Sequence, residues 1–319
     1  MAARLTTAIG LMSGTSADGV DAALLRTDGE ARIEFLGGAT LPYDDELRFR
    51  VLETSQHDVR LVELLRLERD LTLHHAEAVK QLLATVAKPP EPPSLIGFHG
   101  HTVRHVPDEF LSMQIGNPWL LAEETGLPVV TDFRRRDIAK SGQGAPLASM
   151  FHRALFHSQP RPVAILNLGG VANITWLGKD DQIIAGDTGP GCGLLDEWVQ
   201  EMAQLPQDKD GQLALQGTVD KSILEDALAE AFFERALPKS ADRYEFDHID
   251  VSMLSLEDGA ATLCAVTAMA VVKASTLLPA PPSTLWVTGG GVHHPVIMSM
   301  LQEHFGDVRS VSELNLSPD

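Results

Sequence analysis

The segment from Gly14 to Asp21 combines glycine, hydroxyl and carboxyl groups over a short stretch. Glycines let the main chain approach a phosphate closely, with backbone N–H groups and hydroxyls pointing into one concavity. The pattern predicts a phosphate-binding turn, and a plain turn between two strands stays open as the alternative. It is not a Walker motif, because no lysine follows the second glycine. The residues predicted to bind phosphate are Gly14, Thr15, Ser16, Ala17, Asp18, Gly19, Val20 and Asp21.

Asp187 is the candidate catalytic carboxylate. The apolar pair Ile183 and Ile184 before it favours a strand, and the glycine-rich residues 188–193 predict a loop before a helix that begins near Leu194. A carboxylate at such a strand end could act as a general base, or hold a magnesium ion through water. The alternative that the pattern leaves open is an aspartate that caps the helix.

Two more glycine turns follow predicted strands in the second half of the chain. One follows the strand predicted over residues 163–168, and the other follows the strand predicted over residues 284–287. Bare backbone of this kind could lie against an adenine or a ribose, whereas an ordinary strand connection is the alternative reading of each turn. Together with the first segment, they favour a nucleotide site. The glycines concerned are Gly169, Gly170, Gly289, Gly290 and Gly291.

Three histidines, His99, His101 and His105, lie close enough in sequence to suggest a metal site. His99 and His101 would share one face of a strand, but no cysteine or acidic residue is convincingly placed as a third ligand. We therefore predict no metal held by protein side chains here. Polar histidines that line a cleft, or that bind sugar hydroxyls, are the preferred interpretation.

Composition narrows the classes of partner. The chain has 319 residues and a formal net charge of -19, which disfavours nucleic acid, and no stretch predicts a membrane span. Its two cysteines, Cys192 and Cys264, are too few for a disulfide framework, which fits a reducing cytoplasm. A chain of this length favours two lobes over one core.

The elements that must position these residues are indicated by hydrophobic patterning. The first half predicts strands over residues 5–11, 20–25, 95–98 and 129–130, and helices over residues 60–86 and 120–125. Residues 99–102 are predicted to form a tight polar loop after the third strand. The second half opens with two strands, 163–168 and 173–177, joined by a glycine turn, as the first half does. We therefore predict an α/β protein of two duplicated lobes, 1–131 and 132–319.

Motifs along the whole chain resemble those of the anhydro-N-acetylmuramic acid kinase family. They occur in the same order as in the family, from residue 10 to about residue 300. The matching segments are Gly10–Asp21, Phe98–Val103, Ile115–Pro118, Asp132–Arg134 with Asp137, Gly142–Leu147, Leu166–Ile174, Asp187–Gly191, Pro238–Ser240 and Gly289–Gly291. The sequence departs from the family pattern at His101, Ser141, Cys192 and His294, where Gln, Gly, Asn and Asn are usual.

The resemblance implies two actin-like (ribonuclease H-like) lobes with a nucleotide cleft between them, ATP and Mg²⁺ as cofactors, and a homodimer. It implies a kinase that opens the 1,6-anhydro bond of anhydro-N-acetylmuramic acid with water and phosphorylates O6 during peptidoglycan recycling. Asp187 would be the base that activates the water. The substrate-binding residues that it implies are His99, Thr102, Asn117, Arg134, Asp137 and Gly189.

The resemblance also implies that the C-terminal lobe is shorter than is usual in the family. Two alternatives follow from this departure and from the fold. One is a shortened relative that binds nucleotide or sugar without turnover, and the other is an actin-fold kinase for a different sugar. Incubation with ATP, magnesium and the anhydro sugar distinguishes the first alternative, and a panel of sugars distinguishes the second.

Overall fold

The computed structural model describes residues 4–14, 17–86, 89–241 and 245–318. The chain divides into two compact units, Met1–Leu147 (unit 1) and Ala148–Asp319 (unit 2). The division falls later in the chain than the boundary predicted after residue 131. Residues 132–147 are grouped with unit 1, where the Arg134 guanidinium bonds to the His99 ring.

Unit 1 is an α/β structure in which helices follow and cover the strands of one sheet. Its strands are β1 (Thr6–Ser13), β2 (Gly19–Thr27), β3 (Ile33–Pro42), β4 (Leu95–Val106), β5 (Leu111–Ile115) and β6 (Val129–Thr131). Its helices are α1 (Asp45–Gln56), α2 (Leu61–Thr85), α3 (Pro118–Thr125) and α4 (Arg135–Ile138). The long helix α2 confirms the helix predicted over residues 60–86. It buries Leu67, Leu71, Ala78 and Leu82, which share one face because they are spaced by one or two helical turns.

The sheet of unit 1 runs in the order β3-β2-β1-β4, and both β5 and β6 pair with β4. β2 is antiparallel to β1 and β3, whereas β1 and β6 are parallel to β4. The sequence-predicted opening pair of strands is therefore confirmed as the antiparallel pair β1 and β2. Because β1 and β4 are parallel, Ser13 at the end of β1 lies opposite His101 in β4.

Unit 2 repeats this arrangement with more helices. Its strands are β7 (Val163–Leu168), β8 (Val171–Leu177), β9 (Ile183–Pro190), β10 (Leu285–Thr288) and β11 (Val308–Ser310). Its helices are α5 (Ser149–Leu155), α6 (Gly193–Ala203), α7 (Lys221–Leu228), α8 (Ala231–Glu234), α9 (Leu256–Ser275) and α10 (Pro295–Phe305). The strands run in the order β9-β8-β7-β10-β11, with β8 antiparallel to β7 and β9 and with β10 parallel to β7 and β11.

The two sheets thus share one topology, because β3-β2-β1-β4-β6 and β9-β8-β7-β10-β11 have the same order and the same strand directions. This is the ribonuclease H-like topology of actin-like lobes, and the predicted fold class is confirmed. It accounts for the similar openings of the two halves of the sequence: in each, the first two strands form a hairpin and the fourth returns parallel to the first.

Helix α9 is the central helix of unit 2. Among the described residues it alone is long and apolar enough to cross a membrane, judged by length and composition. However, 72% of its most apolar 18-residue window is buried, and it contacts α6, α7, α10 and β9. Its apolar character is therefore that of a core helix.

Two predicted loops are strands in the structure. Residues 99–102 lie inside β4, because β5 pairs with β4 from His101 to Val106. Gly100 adopts φ +73° within this strand, and a Cβ there would lie 2.5 Å from the Ile115 carbonyl oxygen. Likewise, residues 188–190 of the loop predicted over 188–193 lie within β9, since β8 pairs with β9 as far as Pro190. The loop predictions are wrong for residues 99–102 and 188–190, because long-range strand pairing overrides the polar and glycine-rich local sequence.

Candidate functional site

In unit 1, the predicted phosphate-binding segment connects β1 to β2. Gly14, Ala17, Asp18, Gly19, Val20 and Asp21 are described, whereas Thr15 and Ser16 lie outside the described residues. Ala17 and Val20 are buried, so their side chains serve the core and not a ligand. A Cβ on Gly19 would lie 2.5 Å from the Leu41 carbonyl oxygen, so this glycine lets β3 pass closely.

Asp18 and Asp21 provide the carboxylates of this segment, and both are exposed. Asp21 Oδ1 accepts a hydrogen bond from the Thr40 hydroxyl at 2.6 Å. Exposed carboxylate oxygens are the ligands that Mg²⁺ uses beside phosphate groups, and it usually takes only one or two of them from the protein. The donor set of this segment therefore fits a magnesium ion that arrives with a nucleotide.

His99 and Arg134 form a bonded pair in unit 1. Arg134 Nε donates to His99 Nε2 at 2.9 Å, and Arg134 Nη1 donates to the Gly144 carbonyl at 2.7 Å. Because the guanidinium can only donate, His99 Nε2 must accept, and the ring proton sits on Nδ1, which lies 2.8 Å from the Gly100 carbonyl oxygen. Burial, followed by the Arg134 charge, lowers the pKa of His99 to about 4, so the ring is neutral as this geometry requires.

Asp137 holds the turn that follows. Its Oδ2 accepts from the Gly144 backbone N–H at 2.8 Å, and its carbonyl accepts from the Gly142 N–H at 2.9 Å. The structure thus brings three of the predicted substrate-binding residues, His99, Arg134 and Asp137, into one hydrogen-bonded group. Such a group presents a fixed guanidinium and a carboxylate, which suits recognition of a polar, anionic sugar.

The other two predicted substrate-binding residues of unit 1 have structural partners. Asn117 is the N-cap of α3: its Oδ1 accepts from the Leu120 N–H at 3.0 Å, and its own N–H donates to Thr72 Oγ1. Thr102 Oγ1 accepts from Gln114 Nε2 at 3.3 Å, across the β4–β5 pair. Their roles toward a substrate stay predictions.

In unit 2, the three glycine turns meet at the edge of the sheet where β7, β9 and β10 end. The N–H groups of Gly191 and Cys192 donate to the carbonyls of Gly170 and Gly169, both at or below 2.9 Å. Gly289 has φ +83°, and a Cβ there would lie 2.5 Å from Asn167 Oδ1. Ligands of open α/β sheets bind outside the carboxyl ends of the strands, so this edge is the expected position.

Two of these glycines face open space. A Cβ on Gly170 or on Gly290 would meet nothing within 4 Å, and both residues are exposed. By contrast, Gly291 is buried, and a Cβ there would lie 2.6 Å from Leu168 Cβ. The edge therefore combines glycines that the packing requires with glycines that leave bare, accessible backbone, which a flat ring or a phosphate could approach.

Asp187 lies on β9, opposite Asn173 of β8. Its backbone N–H donates to the Lys239 carbonyl at 2.8 Å, and its Oδ2 accepts from the Ala241 N–H at 2.8 Å. A Cβ on the preceding Gly186 would lie 2.9 Å from Lys239 N and O, so this glycine admits the 237–241 segment. The residue is half-buried, and the main chain orients one of its carboxylate oxygens.

Gly189, also predicted to bind substrate, has φ +159° and packs in the interior. A Cβ on it would lie 2.7 Å from Ala270 Cβ of α9 and 2.9 Å from the Phe233 ring. A glycine is therefore needed at position 189 for close packing. The role of Gly189 toward substrate stays a prediction.

Sequence reasoning missed Lys239, which supports Asp187, and Tyr43, which supports the segment between β1 and β2. Lys239 is buried, donates Nζ–H to the Phe232 carbonyl at 2.8 Å, and lies over the Phe232 ring. Burial lowers the pKa of Lys239 to about 8, partly offset by the Asp187 charge. No local sequence pattern pointed to Tyr43, because Ser13, to which it hydrogen-bonds, is far away in the sequence. Lys239 could have been found from the sequence, because it lies in the Pro238–Ser240 motif that matches the family.

Comparisons with known proteins identify the family. The family model described as anhydro-N-acetylmuramic acid kinase matches residues 6–319. A relative of that name from Gluconobacter oxydans is 46% identical, over 98% of this chain and 89% of its own length. Those from Acidiphilium cryptum and Paramagnetospirillum magneticum are 47% and 46% identical, and each has 83% of its length covered. The chain belongs to the anhydro-N-acetylmuramic acid kinase family.

Proposed function

We propose that the protein is an ATP-dependent kinase that opens 1,6-anhydro-N-acetylmuramic acid with water and phosphorylates O6, giving N-acetylmuramic acid 6-phosphate. The observation that carries the proposal is the family membership, with 46% identity to a relative of that name over 98% of the chain. The geometry of Asp187, of the glycine edge of unit 2 and of the His99–Arg134 pair supports it.

In this reaction Asp187 takes a proton from the attacking water. The water oxygen forms a bond to the anomeric carbon as the bond from that carbon to O6 breaks, and O6 then attacks the γ-phosphorus, with ADP leaving. The Ala241 N–H bond to Oδ2 fixes the direction of the carboxylate, so little reorientation is needed at the moment of proton transfer.

Each unit, taken by itself, offers groups that suit part of a nucleotide. Gly170 and Gly290 offer accessible backbone in unit 2, and the β1–β2 segment offers backbone and the carboxylates of Asp18 and Asp21 in unit 1. Mg²⁺ bound with ATP would neutralise charge on the phosphates, which is its usual contribution to phosphoryl transfer. The Arg134 guanidinium, held by His99, would bind an anionic or polar group of the sugar.

We also propose peptidoglycan recycling in the cytoplasm as the setting, and a homodimer as the assembly. A kinase that consumes ATP and has two free cysteines, Cys192 and Cys264, fits a reducing compartment. Light scattering coupled to size-exclusion chromatography tests the dimer directly.

The decisive assay supplies ATP, magnesium and 1,6-anhydro-N-acetylmuramic acid, and measures ADP release and the sugar phosphate by mass spectrometry. In ¹⁸O water, we expect the label in the sugar and not in the phosphoryl group. The same assay with 1,6-anhydro-N-acetylglucosamine, which lacks the lactyl group, tests the alternative of another sugar. ADP release without sugar phosphate, or preference for the second sugar, would contradict the proposal.

A further inference from the structure

Tyr43 makes hydrogen bonds at both ends of the segment that connects β1 to β2 in unit 1. Its hydroxyl lies 2.6 Å from Ser13 Oγ, at the end of β1. Its backbone N–H donates to the Asp18 carbonyl at 3.0 Å, just before β2 begins. Tyr43 thus holds both Ser13, which precedes Gly14, and Asp18, which precedes Gly19. The Tyr43 ring is itself fixed, since it is 8% exposed and packs on the His74 ring with centroids 5.1 Å apart.

The side chains form a chain of hydrogen bonds. Ser13 Oγ also lies 2.8 Å from His101 Nδ1, and both residues are 1% exposed. Burial raises the pKa of Tyr43 to about 12, and burial lowers the pKa of His101 to about 4, so the phenol keeps its proton and the imidazole is neutral. Ser13 is the sole partner of the Tyr43 hydroxyl within the described part of the chain. Hydrogen bonds therefore link Tyr43, Ser13 and His101 in that order.

The side-chain hydrogen bonds fix Ser13, and the backbone hydrogen bond from Tyr43 fixes Asp18. Backbone N–H groups bind phosphate well when they are held in place beforehand, because the cost of ordering them is then not subtracted from the binding free energy. The described Ala17 N–H bond to the Gly14 carbonyl, at 3.1 Å, closes a turn between the same two ends.

We propose that Tyr43 is a positioning residue for nucleotide binding, which acts by holding Ser13 and Asp18 at the two ends of the segment that approaches phosphate. The inference rests on the proposed function, since it requires that this segment binds ATP. A network that served only the stability of unit 1 would affect ATP and sugar binding equally.

The test compares MgATP and anhydro-sugar affinities of the wild type and Tyr43→Phe by calorimetry, each ligand alone. Phenylalanine keeps the ring against His74 and removes one hydroxyl. We expect MgATP to bind about tenfold more weakly, as loss of one buried hydrogen bond allows, while sugar affinity stays within about twofold. Ser13→Ala should give a similar loss, and the double variant should be no weaker than the weaker single variant, because the two groups act together.

Ser94→Ala is the matched control, since it removes a hydroxyl that bonds to Thr7 at the opposite end of β1. It should leave MgATP affinity within about twofold. In the ligand-free protein, hydrogen exchange of peptides that cover residues 13–20 should be faster in Tyr43→Phe and unchanged in Ser94→Ala. Unchanged MgATP affinity in Tyr43→Phe, or equal loss for both ligands with a lower melting temperature, would overturn the inference alone. A wild type that binds no MgATP would overturn the proposed function as well.

Discussion

Asp187 lies inside strand β9, and this position bears on the capping role that its sequence left open. The helix that follows, α6, begins at Gly193 and has Cys192, not Asp187, as its N-cap. The capping alternative is therefore wrong. Its side chain is instead oriented by the Ala241 N–H, a partner 54 residues away in sequence.

Replacing Asp187 by Asn should abolish proton acceptance while it keeps the size and the Ala241 hydrogen bond. We expect turnover to fall by about a hundredfold to ten-thousandfold, the usual contribution of a general base. MgATP and sugar affinities and the melting temperature should stay near the wild-type values. Steady-state kinetics, calorimetry and thermal unfolding on the one variant measure these quantities.

The control for that variant is Asp181→Asn, in the turn between β8 and β9. Asp181 is exposed and has φ +59°, a conformation that asparagine adopts readily. Its turnover should match the wild type. If Asp187→Asn retains turnover within a few-fold of the wild type, Asp187 is not the base.

At the scale of elements, the glycine turn after β10 contains two kinds of glycine. Gly289 is required by the fold, because of its φ of +83° and its close contact with Asn167. Gly290 has open space where a side chain would be. The same substitution at these adjacent positions should therefore have opposite consequences.

Gly290→Ala should weaken MgATP binding by about 5- to 150-fold, if an added methyl group meets the nucleotide at the 1–3 kcal/mol cost of overpacking. Its free energy of unfolding should stay near that of the wild type. Gly289→Ala should instead lower the free energy of unfolding by about 1–3 kcal/mol, because its φ of 83° and ψ of 162° are essentially restricted to glycine. Urea unfolding and MgATP titration measure both effects. Normal affinity in Gly290→Ala would place the nucleotide elsewhere.

Local patterns predicted the elements that carry their own signal, such as α2 and the pairs β1–β2 and β7–β8. They failed where a distant strand decides the structure. β4 continues from His101 to Val106 where β5 pairs with it, and β9 extends through Asp187 because β8 pairs with it. The same contrast between local and distant signals holds for the candidate site. The glycine turns could be predicted from the sequence, but the hydrogen bond between His99 and Arg134, which are 35 residues apart, could not.

On the scale of the whole molecule, the two units share one topology, and each buries neutral histidines. His75, His99 and His101 lie in unit 1, and His152 lies in unit 2, where it bonds to Thr175. Burial is the main cause that lowers the pKa of each from 6.5 to about 4. Each histidine therefore takes up a proton at higher pH in the unfolded chain than in the folded one.

The sign of the effect on stability follows from this difference. Between pH 6.5 and about pH 4 the unfolded chain binds more protons at these four sites, so the free energy of unfolding falls as pH falls through that window. Each site contributes at most about 1.4 kcal/mol per pH unit. The slope from these sites should disappear about one pH unit above 6.5, where the unfolded histidines have lost almost all of their protons. Urea unfolding at intervals between pH 7.5 and pH 4.5 measures the slope directly.

His75→Leu isolates one site, because His75 Nε2 has no partner among the described residues and its Nδ1 bonds only to the Leu71 carbonyl of its own helix. We expect the variant to lose less stability than the wild type between pH 6.5 and pH 4.5, while both behave alike above pH 7. His57→Leu, at an exposed position on the edge of α1, is the control and should keep the wild-type slope. If the slopes of the wild type and His75→Leu coincide, His75 is not a neutral buried group in the folded protein, and the acid sensitivity must come from other residues.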